Sequence, residues 1–361
     1  MTQPVLYLVP DLMSPGSGIA RYGRMVCHAL LEEGMPLTVV ARVDLPASDA
    51  CGLELGMTYW PCEGSARQFI QRSLTGVFQR RPAFLLVGHA NFAPLGWLLA
   101  RKVGARLVTF IYGIDVFRPL SPCRRWALQR SDLIFSISEF TAQQAAAVNG
   151  APSKRMRILY NCIDPGFLQP LEVAGNEPGL SMLTVGRVSL AEQYKGQDQV
   201  IRAMPALLER FPELVYHIVG DGDWRPALEN LAQQLGVAGA VRFHGFVSEE
   251  ELRYRYSEAT LFIMPSRAEG FGFVFLEAMV HGLPVIAGNM DASPEVVMDG
   301  ETGILVDPTS VDSIVAASTR LLSDETLCRQ MGKNGQERVL KEFEPAAFRS
   351  SLMAYLAQLR S

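Results

Sequence analysis

SMLTVGRV (181–188) is a short apolar run that breaks on a glycine, and its pattern returns at LVYHIVG (214–220), AVRFHGF (240–246), ATLFIMPS (259–266) and LPVIAG (283–288). Runs of this length bounded by Gly or Pro, with amphipathic stretches between them, read as buried strands alternating with helices. Such an alternation implies a parallel sheet covered by helices and wound right-handed. The first half of the chain carries the same rhythm at VLYLV (5–9), LTVVA (37–41), FLLVG (84–88), RLVTFIY (106–112) and LIFSIS (133–138), with helical spacing over 18–34 and 91–103. Between the two series lies NCIDPGFLQPLEVAGNEPG (161–179), rich in Pro, Gly and Asn and without periodicity, which marks a domain boundary. The expected fold class is therefore α/β, with two Rossmann-like, doubly wound domains over 1–165 and 166–344. Ligands of open α/β sheets gather where strand C-termini face a crevice. The last helical stretch, 345–361, follows the second series and is left free to pack back on the first domain.

A length of 361 residues suits two cores rather than one. With 48% hydrophobic and 19% charged residues, the composition is that of a globular protein and excludes a disordered chain. Six scattered cysteines form no C-x-x-C pair and read as reduced thiols of a cytosolic protein. MTQPVLYLVPDL lacks the basic start and long apolar core of a signal peptide. The most apolar longer window, 83–100, is interrupted by His89, Asn91, Pro94 and two glycines, so it fails as a membrane-spanning helix. The reading is a cytoplasmic protein, with a peripheral place on the inner face of the membrane open to it. Net charge is −4, but residues 1–170 hold 17 Lys/Arg against 11 Asp/Glu while residues 171–361 hold 16 against 26. That asymmetry reads either as two domains facing different partners or as incidental surface composition.

Four constellations carry chemistry. PGSGIARYG (15–23) follows the first strand and opens a helix. The turn at Gly16, Ser17 and Gly18 can offer backbone N–H groups and a helix N-terminus to a phosphate, or serve only as a turn. The dinucleotide spacing G-x-G-x-x-G fails at Arg21, which disfavours a dehydrogenase. In VGRVSLAEQYKGQD (185–198), Arg187 and Lys195 flank a strand–helix junction, a pairing suited to a diphosphate if the two are not merely surface cations. VGDGDWRP (219–226) contains a D-x-D that could hold a divalent metal, but it follows a buried strand, and Gly220 with Gly222 favours a tight turn beside a nucleotide. No metal site is expected. In PSRAEGFGFVFLEAMVHGLPVIA (265–287) a loop carrying Glu269, Gly270, Phe271 and Gly272 leads into a helix through Phe273 and Val274 to Glu277. The glycines let amides face a phosphate at the helix start, and the loop can fold Glu269 back toward Glu277; capping or solvent-exposed roles are the alternative.

Together these residues resemble retaining glycosyltransferases of family 4, with the two-domain GT-B architecture. The resemblance is scattered over the first half and nearly continuous from about 181 to 308. It is carried by the glycine turn, SEF (138–140), NCID (161–164), GRV with YKG (186–196), the Glu-x7-Glu pair and DASPEVVMDGETGILVDP (291–308). The resemblance implies a hexosyltransferase that takes a UDP- or GDP-sugar as co-substrate, needs no metal or other cofactor, and serves glycan or polysaccharide biosynthesis. It implies that Arg187 and Lys195 neutralise the leaving diphosphate, that Glu269 with the Gly270–Val274 backbone holds sugar and phosphate, and that Glu277 holds the ribose. The turn at 16–18 would close over the diphosphate, and Phe246 and Val247 would touch the base. Retention is expected through attack on the face from which the diphosphate departs.

One departure stands out. Many relatives carry histidine where TFIYGIDVF (109–117) has Tyr112, and a phenol with a pKa near 10 is no base at neutral pH. His89 is placed either to fill part of that space or to serve in the core, and Asp115 is the better candidate for contacting sugar or acceptor. The expected acceptor is a saccharide or a lipid-linked one. SARQFIQRSLTGVFQRRPAF (65–84) sets Phe69, Ile70, Leu74, Val77 and Phe78 at helical spacing among Arg67, Arg72, Arg80 and Arg81. That helix either packs on its own sheet or docks on an anionic membrane. Nucleic acid is disfavoured, since the helix lacks aromatic interleaving. The alternatives carried are a catalytically impaired sugar-nucleotide-binding partner subunit and a GT-B epimerase.

Overall fold

All ten apolar runs become strands of parallel sheets in the computed structural model, which describes residues 3–14, 16–45, 56–169 and 179–359. Pro15 of the glycine turn, Cys51, residues 170–178 of the linker and the last two residues of the final helical stretch lie outside the described residues. The chain divides into two compact units, residues 1–162 with 345–361, and residues 163–344. Among the described residues, no helix is long and apolar enough to cross a membrane.

In the first unit β1 (Val5–Val9), β2 (Leu37–Ala41), β3 (Thr58–Pro61), β4 (Phe84–Val87), β5 (Arg106–Ile111), β6 (Leu133–Ser136) and β7 (Met156–Ile158) run parallel in the order β3-β2-β1-β4-β5-β6-β7. The order reverses between β1 and β4, which pair with Val5 opposite Phe84. The connecting helices are α1 (Gly18–Glu32), α2 (Ala66–Arg80), α3 (Ala93–Val103), α4 (Pro122–Leu128) and α5 (Glu139–Asn149). Alternation along the strands sends Leu6, Leu8, Leu85, Val87 and Leu107 to one face, sealed by Phe69 and Val77 of α2 and by Leu99 of α3. The other face carries a row of aromatics. Tyr7 meets Phe110 at 5.8 Å, and Phe110 stacks on Phe135 at 5.2 Å.

The second unit places β8 (Ser181–Val185), β9 (Val215–Val219), β10 (Val241–Gly245), β11 (Leu261–Met264), β12 (Val285–Gly288) and β13 (Gly303–Val306) in the parallel order β10-β9-β8-β11-β12-β13, reversing between β8 and β11. Its helices are α6 (Gln197–Arg210), α7 (Arg225–Gln234), α8 (Glu249–Glu258), α9 (Phe273–Val280), α10 (Ser293–Val296), α11 (Val311–Ser323) and α12 (Glu325–Glu342). Met182, Tyr216, Ile218, Ile263 and Ile286 form a core with Met204 of α6, Leu228 of α7 and Leu321 of α11. Tyr256 of α8 and Phe275 of α9 pack on Phe262, each at 6.0 Å.

The final helix, α13 (Pro345–Gln358), belongs to the first unit. It buries Phe348, Leu352 and Leu356, an i, i+4, i+8 stripe that contributes about 1.5–3 kcal/mol for each side chain. Phe348 meets Tyr22 of α1 edge-on at 5.5 Å, and Tyr355 lies 5.8 Å from Phe135.

Three strands escape the sequence pattern: β3, β7 and β13. All three are outermost in their sheets and only three or four residues long. An edge strand of that length has one paired side and partial burial, so the continuous apolar run that betrays central strands is missing.

Candidate active site

The reversal point of the second sheet gathers residues that are far apart in sequence. β8 ends at Val185 and the chain turns through Gly186, Arg187 and a 3-10 turn, Leu190–Lys195, to Gly196. Gly196 has φ +78°, and a Cβ there would lie 2.6 Å from the Pro265 carbonyl oxygen, so only glycine lets this turn press against the end of β11. The Arg267 N–H donates to the Tyr194 carbonyl at 3.0 Å and ties the two loops together. Lys195 lies over Gly186, its Nζ 3.0 Å from where a Cβ on Gly186 would stand.

Arg187 and Lys195 converge on a residue that sequence reasoning missed. Glu192, its side chain 8% exposed, takes Lys195 Nζ on Oε2 at 2.7 Å and the Arg187 guanidinium on Oε1. The 3-10 turn is kinked at Glu192 itself, with φ −121° and ψ 24°. Lys195 is 13% exposed and Arg187 67%. One buried carboxylate thus spaces two cations and leaves a net positive trio. The signal was present as an acidic residue three before Lys195, but i,i+3 pairs are common on surface helices, and only burial distinguishes this one.

Asp291, 5% exposed, organises the loop after β11. Its carboxylate accepts from Ser266 Oγ at 2.7 Å, from the Glu269 N–H at 2.7 Å and from the Ser293 N–H at 2.9 Å. This holds Glu269 where Lys195, Glu192 and Asp291 all act on it. Burial pushes the Glu269 carboxyl up, with Asp291 and Glu192 adding to the rise, while Lys195 and the Gly270 N–H oppose it. Gly272, at φ +89°, caps α9 without any side-chain hydrogen bond. A Cβ there would meet Phe275 at 2.5 Å and Glu269 Cγ at 3.3 Å. Phe271 is 1% exposed and packs on Phe343 at 5.7 Å, so any contact with a ligand is through its backbone. Phe273 and Val274 form the half-buried first turn of α9. Glu277 lies deeper in α9 than an exposed ligand contact would, 2% exposed, with Tyr256 Oη donating to Oε2 at 2.8 Å.

The D-x-D is a turn. Asp221 Oδ1 accepts from the Gly222 N–H at 2.8 Å, and its Oδ2 is 3.5 Å from Arg225. Asp223 Oδ1 accepts from the Leu190 N–H at 2.8 Å. Gly220 is there for close approach: at φ +127°, a Cβ would sit 2.0 Å from the Gly186 carbonyl oxygen. Its N–H donates to Gly245 O at 2.8 Å, and Gly186 donates to Val219 O at 2.9 Å, stitching the ends of β8, β9 and β10. Just past β10, Phe246 is 79% exposed and Val247 is half-buried. Among the described residues no group of three or more His, Cys, Asp or Glu could hold a metal ion.

In the first unit the reversal point between β1 and β4 carries its own polar cluster. Gly16 has φ +73° and open space beside it, and Ser17 caps α1, accepting from the Ala20 N–H at 3.2 Å, with Gly18 the first helical residue. The loop before them is held by Asp44, which accepts from the Leu12 N–H at 2.7 Å and the Met13 N–H at 3.3 Å. Tyr112 packs against α1. Its ring lies edge-on to Tyr22 at 5.4 Å, its hydroxyl is buried, and burial raises an already high phenol pKa further, so this hydroxyl stays protonated. Asp115 Oδ1 accepts from the Tyr112 N–H at 2.9 Å. SEF holds a helix cap, Ser138 accepting from the Thr141 N–H at 3.0 Å.

Helix α2 divides the apolar residues that the sequence groups together. Phe69 and Val77, with Ser73 and Gly76, face the sheet, whereas Ile70, Leu74 and Phe78 are 46%, 39% and 60% exposed. Arg72 and Arg80 turn back to Pro61 O and Thr58 Oγ1. Arg67 and Arg81 stay exposed at the two ends of the Ile70–Leu74–Phe78 stripe.

The family described as Glycosyl transferases group 1 matches residues 175–338, and Glycosyltransferase Family 4 matches residues 16–167. The chain is 35% identical over 276 residues to the GDP-mannose-dependent alpha-(1-6)-phosphatidylinositol monomannoside mannosyltransferase of Mycolicibacterium smegmatis, covering 70% of this chain and 71% of the relative. Among solved structures it is similar to sucrose-phosphate synthase from Thermosynechococcus elongatus, with a TM-score of 0.83, 22% identity and 99% of each chain covered. It is also similar to Anabaena HepE in complex with UDP, with a TM-score of 0.78, 18% identity, and 98% of this chain and all of that one covered. At these identities the two structures speak to the fold alone.

Proposed function

Because the chain belongs to the group 1 and family 4 glycosyltransferases of the GT-B type, we propose that it moves a hexose from a UDP- or GDP-sugar to a saccharide or lipid-linked acceptor, with retention and without a metal. The observation that carries this reading is the Arg187–Glu192–Lys195 trio beside the Glu269–Gly272 loop and the uncapped start of α9. Breaking the sugar–phosphate bond leaves oxocarbenium character on the hexose and negative charge on the diphosphate. Fixed cations, loop amides and a helix N-terminus stabilise that charge. Arg187 and Lys195 neutralise the leaving group, and Glu269 with the Gly270–Val274 backbone holds the hexose and its phosphate. Glu277, braced by Tyr256, takes the ribose. Phe246 and Val247 flank the base, while the amides at Gly16, Ser17 and Gly18 serve an anionic oxygen. The acceptor hydroxyl attacks the face that the diphosphate leaves, and a departing phosphate oxygen takes its proton. The metal-free reading is supported by Asp221 and Asp223 being engaged in the turn.

GDP-mannose is the donor to try first, because the mycolicibacterial relative is named for it. A thermal-shift screen against UDP-, GDP-, ADP- and dTDP-sugars should show a rise of roughly 5 °C with a UDP- or GDP-sugar near 100 times its Kd. No stabilisation by any donor would remove the proposal. Product is then sought in lipid and oligosaccharide extracts. Release of free nucleotide and sugar without a glycosylated product would favour the epimerase class instead.

The exposed Ile70–Leu74–Phe78 stripe with Arg67 and Arg81 suits an anionic lipid surface, the place of a lipid-linked acceptor. Co-sedimentation with vesicles containing an anionic phospholipid, absent with neutral vesicles, is expected to weaken about tenfold in Phe78→Ser. Equal binding by the variant would exclude this face.

A further inference from the structure

The ends of β4 and β5 hold two polar side chains that packing alone does not explain. β4 and β5 are adjacent, with Val87 opposite Thr109. His89 follows β4 at the reversal point of the sheet and caps a 3-10 turn, Ala90–Phe92, its Nδ1 accepting from the Asn91 N–H at 3.1 Å. A ring nitrogen that accepts from a backbone amide carries no proton, so in the neutral ring the proton is on Nε2. Asp115 leaves β5 two residues past the glycine at 113. Its Oδ1 is used by the Tyr112 N–H, while Oδ2 is buried with no hydrogen-bond partner among the described residues. A buried acceptor without a donor is costly, and such groups are kept where a ligand completes them.

We propose that His89 and Asp115 form a hydroxyl-binding pair for the transferase reaction, Nε2–H of His89 donating to a sugar hydroxyl oxygen and Oδ2 of Asp115 accepting its proton in a hydrogen bond. This rests on the transferase reading above and gives the first unit its sugar contact. Neutral imidazole is the form required. Burial lowers the His89 pKa below 6.5; Asp115 and Asp11 act the other way, and Arg124 of α4 adds to the lowering. His89 is therefore neutral at pH 7, and its protonation lowers activity as pH drops through a value below the ordinary histidine range. Burial in turn raises the Asp115 carboxyl, opposed by His89 and by backbone N–H groups. The hydroxyl belongs either to the transferred hexose or to the acceptor, and kinetics separates the two.

Two substitutions divide the nitrogens of the ring. His89→Asn keeps an acceptor for the Asn91 N–H but has nothing where Nε2 stood; His89→Gln keeps an N–H near Nε2 and gives up the cap. Transfer by His89→Asn and by Asp115→Asn should fall about 10- to 100-fold at unchanged melting temperature and unchanged nucleoside diphosphate binding, while His89→Gln stays within a few-fold of wild type. The acid limb of the kcat profile should change in His89→Gln, because the titration of the imidazole is removed while that of Asp115 remains. Hydrolysis of the donor by water falling together with transfer assigns the hydroxyl to the hexose. A raised acceptor KM with hydrolysis intact assigns it to the acceptor. His89→Asn as active as wild type, with the acid limb retained, means a cap and nothing more, and overturns the proposal. A wild-type protein that turns over no donor would remove the transferase reading, and this pair with it.

Discussion

Lys195→Ala should lower kcat/KM for transfer by about a thousandfold, more than the loss of one exposed cation accounts for. Two effects act in the same direction. One of the two cations that meet the leaving diphosphate is gone, and Glu192, buried and now paired with Arg187 alone, turns its freed oxygen to the same anion. Removing one partner of a buried pair is costly because the other charge remains, and here Arg187, largely exposed, compensates only part of it. The double variant Lys195→Ala/Glu192→Gln removes the stranded charge and should recover about tenfold of the loss. Strict additivity of the two single substitutions would show that Glu192 is not coupled to Lys195 in function, and a fully active Lys195→Ala would remove the donor site as drawn.

Gly220→Ala should cost unit stability as well as activity. The new methyl would stand 2.0 Å from the Gly186 carbonyl oxygen, at a backbone φ of +127° that side chains rarely adopt. β8 and β9 must separate at their C-terminal ends, which breaks the Gly186–Val219 hydrogen bond and disturbs the Gly220–Gly245 bond to β10. Strain and overpacking together amount to about 3–5 kcal/mol, or roughly a 10 °C fall in Tm, with nucleotide binding lost in the same variant. Gly236→Ala is the control: its φ of +72° brings strain, but open space surrounds it, so about 1 kcal/mol is expected. If the two variants melt alike, close approach is not the reason for glycine at 220.

The sequence announces every central strand and hides three of the four edge strands, β10 being the exception. FLLVG is apolar throughout, and LTVVA is so apart from Thr38, because each is buried on both faces, whereas TYWP at β3 is half-buried along its length and reads as loop. At the site, spacing set Arg187 and Lys195 at one strand–helix junction, and the fold brings both onto Glu192. Spacing could not reveal Glu192 or Asp291. Both matter through burial, and burial is decided by the approach of β8 to β11, partners about eighty residues apart in the chain. The same holds for Tyr112, whose motif position said nothing of its packing and which in the fold turns its ring against Tyr22 and its hydroxyl inward. Glu277 lies between these cases: its helix was legible, its contact with Tyr256 was not.

Helix α13 bears on the order in which the protein is made. A ribosome delivers β1 to β7 first, yet the aromatic face of that sheet, covered in part by Tyr22 of α1, is not closed until Phe348 and Tyr355 emerge, after the whole of residues 163–344. The second unit is one uninterrupted segment and can close as soon as it is released. The unit encoded first is thus the last able to finish, and in the interval Tyr22, Phe110 and Phe135 form an unsealed apolar surface on the nascent chain, the kind of surface chaperones recognise.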